Sequence, residues 1–342
     1  MLPAPELPST ACSLCTPEGY NARPMKLGLS IEIQEGLSYA ETLALTRAAE
    51  DLSFETSLLA EHYYPSGRAD LYPGGHGGRT SADAWVYLGA LARDTSKIHL
   101  GTLVSPVTFR HPAVLAKMGA TLDHVSSGRL ELGIGAGWFQ TEHEAFGFNF
   151  PPPPRRVDLV EEQLAIINGL WSQDPFTYEG QAYQLREAHF TPKPVQQPRP
   201  RIVVGGSASA TRLPRLAARF GDEYVITNPS YDQCRSVRGL LDRECERLGR
   251  DPATLDLSVF IALCVAPTAE AVAKTVEVFQ RTNPQYTRML DGRENWIAGT
   301  PEEAQERLAH LGAVGIARSL LSVNCDLHRE MLPLVAEAAL TH

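Results

Sequence analysis

From Lys26 onward, short runs rich in β-branched and aliphatic residues alternate with longer segments of helical period, and this alternation constrains the chain more than anything else in it. Strands separated by helices pair in parallel, because a parallel neighbour is reached only through a crossover. Eight runs read as strands: KLGLSIEI (26 to 33), TSLLA (56 to 60), IHLGTLV (98 to 104), RLELGIG (129 to 135), RIVVG (201 to 205), EYVIT (223 to 227), LDLSVFIALCV (255 to 265) and ARSLLSV (317 to 323). Between them apolar residues recur at i, i+3, i+4 and i+7, as in Leu115, Met118, Leu122 and Val125, or Val157, Val160, Leu164, Ile167 and Trp171. That spacing predicts helices laid on a sheet. Eight such units close most economically into one α/β domain, a (β/α)8 TIM barrel with insertions, although two doubly wound halves satisfy the same count.

With 342 residues, 43% of them apolar, the chain can bury the core such a barrel needs. No stretch approaches the ~20 continuous apolar residues of a membrane helix, and MLPAPELPSTACSLC has neither the basic nor the apolar region of an export signal. A cytoplasmic protein without membrane contact is therefore expected. The formal net charge of −9, with no basic run, argues against a nucleic-acid partner. Cys234, Cys245, Cys264 and Cys325 sit in apolar or helical patterns that suit buried thiols. Cys12 and Cys15 form a single CxxC that nothing nearby completes as a zinc site, so no metal is expected. Prolines crowd residues 1–24, which predicts a flexible extension ahead of a barrel domain spanning 25–342.

A barrel of this kind carries its chemistry on the loops that follow its strands. The long irregular stretches are residues 61–80, 138–154, 172–200 and 282–300; the third precedes the fifth strand and is expected on the opposite face. Glu61 and His62 stand at the end of the second strand, where a histidine can hold or move a proton near neutral pH. Glu142, on the loop after the fourth strand, is a second candidate for proton placement. After the third strand come Ser105, Thr108, Arg110 and His111, which can donate to a polar cofactor or merely anchor their loop. Gly133, Gly135 and Gly137 surround the end of the fourth strand, but Gln140 stands where a dinucleotide fingerprint requires its third glycine. These glycines either admit a flat ring or phosphate to the backbone or ease the strand against its helix. In RIVVGGSASATR a strand runs into Gly205, Gly206 and Ser207 and then a helical segment, which suits a phosphate at a helix N-terminus or a plainly capped helix.

EHYY, GTLVSPVTFRHP, SSGRLELGIGAGW and VVGGS, in that order and spacing, resemble the bacterial luciferase-like monooxygenase and F420-dependent oxidoreductase superfamily. RRVDLVEEQLAIINGLW, YEGQAY, TPKPVQ and GTPEEA extend the likeness from about Met25 to the C-terminal helix. The resemblance implies a luciferase-like barrel with a flavin or deazaflavin ring over the ends of the central strands. GAGW and FRHP point to coenzyme F420, with FMN as the alternative. Residue by residue, His62 matches the family histidine beside the reactive ring. Glu61, Ser105 and the Gly135, Ala136, Gly137 turn match cofactor contacts, and Gly205, Gly206 and Ser207 match the phosphate turn. A non-proline cis peptide that backs the ring in some members aligns with Thr102 and Leu103. Tyr63 replaces the second histidine of the luciferases, which weighs against light emission. The implied activity is hydride transfer between reduced deazaflavin and a small organic substrate; the alternative is a two-component monooxygenase using reduced FMN and oxygen. A flavin or F420 reductase is a possible partner, and a homodimer is the expected assembly. A non-catalytic barrel that only binds a phosphorylated ligand would lack the Glu61–His62 pair.

Overall fold

The computed structural model describes residues 25–65, 80–282, 295–324 and 328–340. Its first strand, β1 (Lys26–Ile31), is buried at every position but the first. β5 (Leu130–Gly135) and β12 (Arg318–Val323) are buried throughout. Burial on both faces is what a parallel sheet covered by helices demands, and it explains why these strands appear as continuous apolar runs. β1 pairs in parallel with β2 (Thr56–Leu59), and the order continues through β3 (His99–Thr102), β5, β8 (Arg201–Gly206), β9 (Glu223–Thr227) and β10 (Asp256–Val265) to β12. β12 returns to β1 in register, from Lys26 opposite Arg318 to Ile31 opposite Val323. This closure makes one eight-stranded barrel and removes the two-half alternative.

Helices cover the outside: α1 (Tyr39–Asp51), α2 (Ala84–Asp94), α3 (Pro112–Val125), α4 (Gln140–Phe146), α5 (Pro153–Ser172), α6 (Arg212–Phe220), α7 (Tyr231–Arg247), α8 (Ala269–Thr282), α9 (Pro301–Ala313) and α10 (His328–Leu340). Their starts are set locally. Ser38, Ser230 and Thr300 each form a reciprocal capping box with Glu41, Gln233 and Glu303. Pro112 occupies the first turn of α3, where its missing N–H costs nothing. The main core lies between helices and sheet. Inside the barrel, Leu58, Val203, Val225 and Leu320 form a smaller apolar layer. Below it, fully buried Arg318 donates to Glu131 (2.8 Å) and Glu223.

The structure departs from the sequence expectations in four places. Ser105 and Pro106 do not simply stop the third strand: as β4 they pair with Ile134 and Gly135 of β5. The stretch 172–200 contains an antiparallel hairpin, β6 (Phe176–Glu179) and β7 (Gln184–Ala188). This hairpin is not confined to the opposite face. Its turn is held by Glu162, midway along α5, and Tyr183 meets the His111 ring at 5.2 Å, beside the loops at the strand C-terminal ends. Within 282–300, β11 (Trp296–Gly299) pairs with the end of β10. Residues 138–154 contain α4. Cys234, Cys245 and Cys264 are buried, as expected. The proposed 1–24 extension, Cys12, Cys15 and Cys325 lie outside the described residues. No described helix is long and apolar enough to cross a membrane.

Candidate active site

At the end of β2 the chain leaves the barrel wall with Glu61 pointing into a closed network and His62 partly open. Glu61 is 2% exposed and accepts from Ser105 Oγ at 2.5 Å, from Trp85 Nε1 at 3.2 Å and from Arg110. Burial pushes its carboxyl up from the ordinary range, against the pull of Arg110, Ser105 and Trp85. Burial also acts to lower Arg110, but the facing carboxylate outweighs it and holds the guanidinium above its ordinary value. An arginine stays protonated in any case, so Arg110 faces the Glu61 carboxyl as a cation. Arg110 also donates to Tyr63 Oη at 2.9 Å. Burial pushes the Tyr63 phenol up to about 12, with Arg110 opposing it. Thr102 Oγ1, fully buried, donates to Gly133 O at 2.9 Å and lies 3.2 Å from Ser105 Oγ. The hydroxyls of Thr102 and Ser105 are thus engaged within the protein and serve to brace the strand ends.

His62 and Glu142 are 80 residues apart in sequence and meet at this site: Nδ1 of His62 lies 3.1 Å from Glu142 Oε2. Glu142 is fully buried in the first turn of α4. Its other oxygen accepts the backbone amides of Tyr63 at 2.5 Å and Tyr64 at 3.2 Å. With both oxygens occupied, Glu142 fixes the His62 ring through Nδ1 and holds its loop.

The Leu103–Val104 peptide is cis, one bond beyond the Thr102–Leu103 pair of the alignment. Leu103 packs on the apolar layer inside the barrel. The Val104 side chain fills the space over the glycines: a Cβ added at Gly135 or Gly205 would stand 2.7 Å from its methyl carbons. Gly135 and Gly205 therefore admit Val104. Gly206 has a separate reason to lack a side chain, since a Cβ there would overlap the Tyr224 hydroxyl, which donates to Ser207 O at 3.0 Å. Ala136 leads into Gly137, whose φ of 74° makes the turn toward Trp138.

The expectation that α6 follows Ser207 directly is corrected: a turn intervenes, with Ala210 N donating to Ser207 O, and α6 starts at Arg212. The Ser207 and Ser209 hydroxyls lie 3.1 Å apart on this exposed turn. Thr211, the residue before α6, gives no side-chain cap. Exposed hydroxyls and an uncapped helix start form a donor set suited to a phosphate, so the residues present fit the phosphate end of a flavin or deazaflavin. His111 anchors its loop by capping α3, accepting from Ala113 N.

Sequence reasoning missed three features. Val104 and Tyr224 explain glycines whose neighbours are remote in sequence. Trp85 closes the Glu61 network from α2. Around His62 stands an aromatic wall, in which Trp138 and Phe139 are stacked at 5.0 Å and both present ring edges to the imidazole, at 5.7 and 6.1 Å. Density of Phe beside Trp138 in 138–150 was the one available signal. Among the described residues no group of three His, Cys, Asp or Glu side chains is placed to hold a metal ion.

Known proteins resemble this chain across nearly its whole length. It is 28% identical over 324 residues to an F420-dependent glucose-6-phosphate dehydrogenase of Microbacterium testaceum, covering 93% of this chain and 90% of that one. It is 26% identical over 313 residues to an FMNH(2)-dependent dimethylsulfone monooxygenase of Pseudomonas fluorescens, covering 82% and 80%. Its fold superposes with a TM-score of 0.76 on an F420-dependent secondary alcohol dehydrogenase solved with an F420–acetone adduct, at 21% identity over 92% of this chain and 98% of that one. The model of the luciferase-like monooxygenase family matches residues 25–318, which hold seven of the eight barrel strands and the first residue of β12. The chain therefore belongs to the luciferase-like monooxygenase family.

Proposed function

We propose that the protein is an F420-dependent oxidoreductase that exchanges a hydride with a small organic substrate at the C-terminal mouth of its barrel. The observation that carries the reading is the His62–Glu142 pair: a partly open imidazole at a strand end, fixed through Nδ1 by a fully buried carboxylate. A deazaflavin, when bound, supplies the hydride chemistry. The protein's part is to bind, orient and handle the proton. The Ser207–Thr211 turn would hold the cofactor phosphate, and the Val104 floor with its glycines would support the ring. His62 Nε2 would give or take the proton at the reacting carbon's substituent, and the aromatic wall would limit water there. Relatives named for both F420 and FMNH(2) keep a reduced-FMN monooxygenase as the second reading.

Fluorescence titration of the purified protein against F420 and against FMN tests the cofactor assignment. Binding of F420 at least about tenfold tighter than FMN supports the proposal. The reverse order, together with oxygen consumption in the presence of reduced FMN, overturns it in favour of the monooxygenase. A cytoplasmic location and a homodimeric assembly complete the proposal, and sedimentation of the full chain tests the second.

A further inference from the structure

Among the described residues, the exposed large hydrophobic side chains include two aromatic rings, Trp138 at 63% and Phe146 at 52% exposure. Trp138 precedes and Phe146 ends the same short helix, α4, which supplies Glu142. Exposed aromatics placed together beside a candidate reacting group mark a ligand surface more than a packing defect. Trp138 is the ring that matters chemically. It stacks on Phe139 at 17° between planes and lies 5.7 Å from the His62 ring at 76°, so the exposed indole stands beside the imidazole. Behind it lie further rings, with Tyr64 to Phe139 at 6.1 Å and Tyr63 to Phe146 at 5.9 Å.

The charge on this wall is already neutralised. Arg110 is closed by Glu61 and stands 3.6 Å from Asp83, and its exposure is 13%. His143 is held by Thr108 at 2.7 Å and by Phe139 O at 2.8 Å. The donor set suited to an anion, at Ser207–Thr211, follows β8, three strands around the ring from β2 and His62. The two ends of the mouth thus differ in kind, one polar with an uncapped helix start and one apolar and flat.

We propose that Trp138 determines specificity by stacking with an uncharged, planar organic substrate, an aryl or conjugated carbonyl compound, whose polar edge lies toward His62. This rests on the F420 reading only in taking the molecule beside His62 to be the substrate. A sugar phosphate, whose anionic group would find no free cation among the described side chains of this wall, is the class it excludes.

The test is isothermal titration of the full-length protein with 2-acetylnaphthalene and, separately, with glucose 6-phosphate, without turnover. Wild type is expected to bind the aryl ketone and to show no binding of the sugar phosphate at equal concentration. Trp138→Ala should weaken the ketone at least about tenfold, a loss of ~1.4 kcal/mol, and Trp138→Phe should stay within about threefold. Both variants should melt with wild type, since the ring is exposed. Equal ketone affinity in Trp138→Ala, or wild-type binding of glucose 6-phosphate in preference to the ketone, overturns the proposal. Trp138-dependent ketone binding in a protein that binds FMN and ignores F420 upholds the wall and removes the F420 reading, so the two failures are distinguishable.

Discussion

At the scale of single residues, the proposed site divides into groups that would face a ligand and groups that hold them. His62 belongs to the first kind. Positioned proton transfer is worth about 10²- to 10⁴-fold in rate, so His62→Ala should lower kcat by that order while cofactor affinity changes little. Asparagine keeps a hydrogen bond but cannot carry a proton, and its rate should match alanine; restoration by asparagine would reduce His62 to orientation. Glu142 belongs to the second kind. Glu142→Gln keeps one oxygen for the Tyr63 and Tyr64 amides but turns an amide toward Nδ1, which forces the opposite imidazole tautomer. We expect kcat to fall about 10²-fold with the melting temperature little changed, and 15N NMR of His62 to show the proton moved to Nε2. An unchanged tautomer would show that Glu142 does not set it. At the phosphate turn, Gly206 is a poor probe because any side chain there strikes Tyr224. Ser207→Asp is the cleaner one: exposed, and adding a negative charge that should weaken cofactor binding about tenfold or more without loss of stability.

Elements set the next level. The strands deliver charges to one end of the barrel and apolar groups to its middle, and the charged end carries a distinct risk. Arg318 is buried against Glu131 and Glu223, while Arg201 bridges Glu223 at 3.1 Å and Asp256 at 2.5 Å. Removing one partner of a buried pair leaves a charge with no compensation, so Arg318→Met should cost about 3–5 kcal/mol in chemical denaturation. Acid provides a second measurement of the same cluster. Burial acts to raise Glu223, but Arg318 and Arg201 outweigh it and hold the carboxyl below its ordinary value. A carboxyl depressed in the folded state adds stability above its unfolded value, near 4.5, and loses it as the pH falls through the folded value. The contribution of Glu223 should therefore hold down to about pH 4.5 and be lost progressively as the pH falls further. A melting temperature that rises on acidification through that window would contradict the arrangement.

For the whole molecule, closure decides everything, because β12 must find β1 across almost the full chain. The described fold starts at Met25, whose Sδ lies 3.6 Å from Ser319 Oγ on that closing strand. Deleting residues 1–24 while keeping Met25 should leave the melting temperature within a few degrees and turnover nearly unchanged, measured by calorimetry and steady-state rates. A large fall would show that the segment packs on the barrel or on a second copy.

All eight barrel strands, the helices α3 and α5 and the strand-end positions of Glu61 and His62 were legible in the sequence, because burial and period are local properties that each segment carries by itself. EYVIT at 223–227 coincides with β9 to the residue. β11 and the β6–β7 hairpin were not legible: WIAG is too short to show a period, and the hairpin alternates weakly. The family motifs identified the strand ends without their partners. That Glu61 closes on Arg110, that Glu142 reaches His62, and that Val104 and Tyr224 require the glycines opposite them are relations across 18 to 101 positions. Only the closed barrel brings those groups within a few ångströms, since hydrogen bonds and close packing act over distances that sequence separation does not measure.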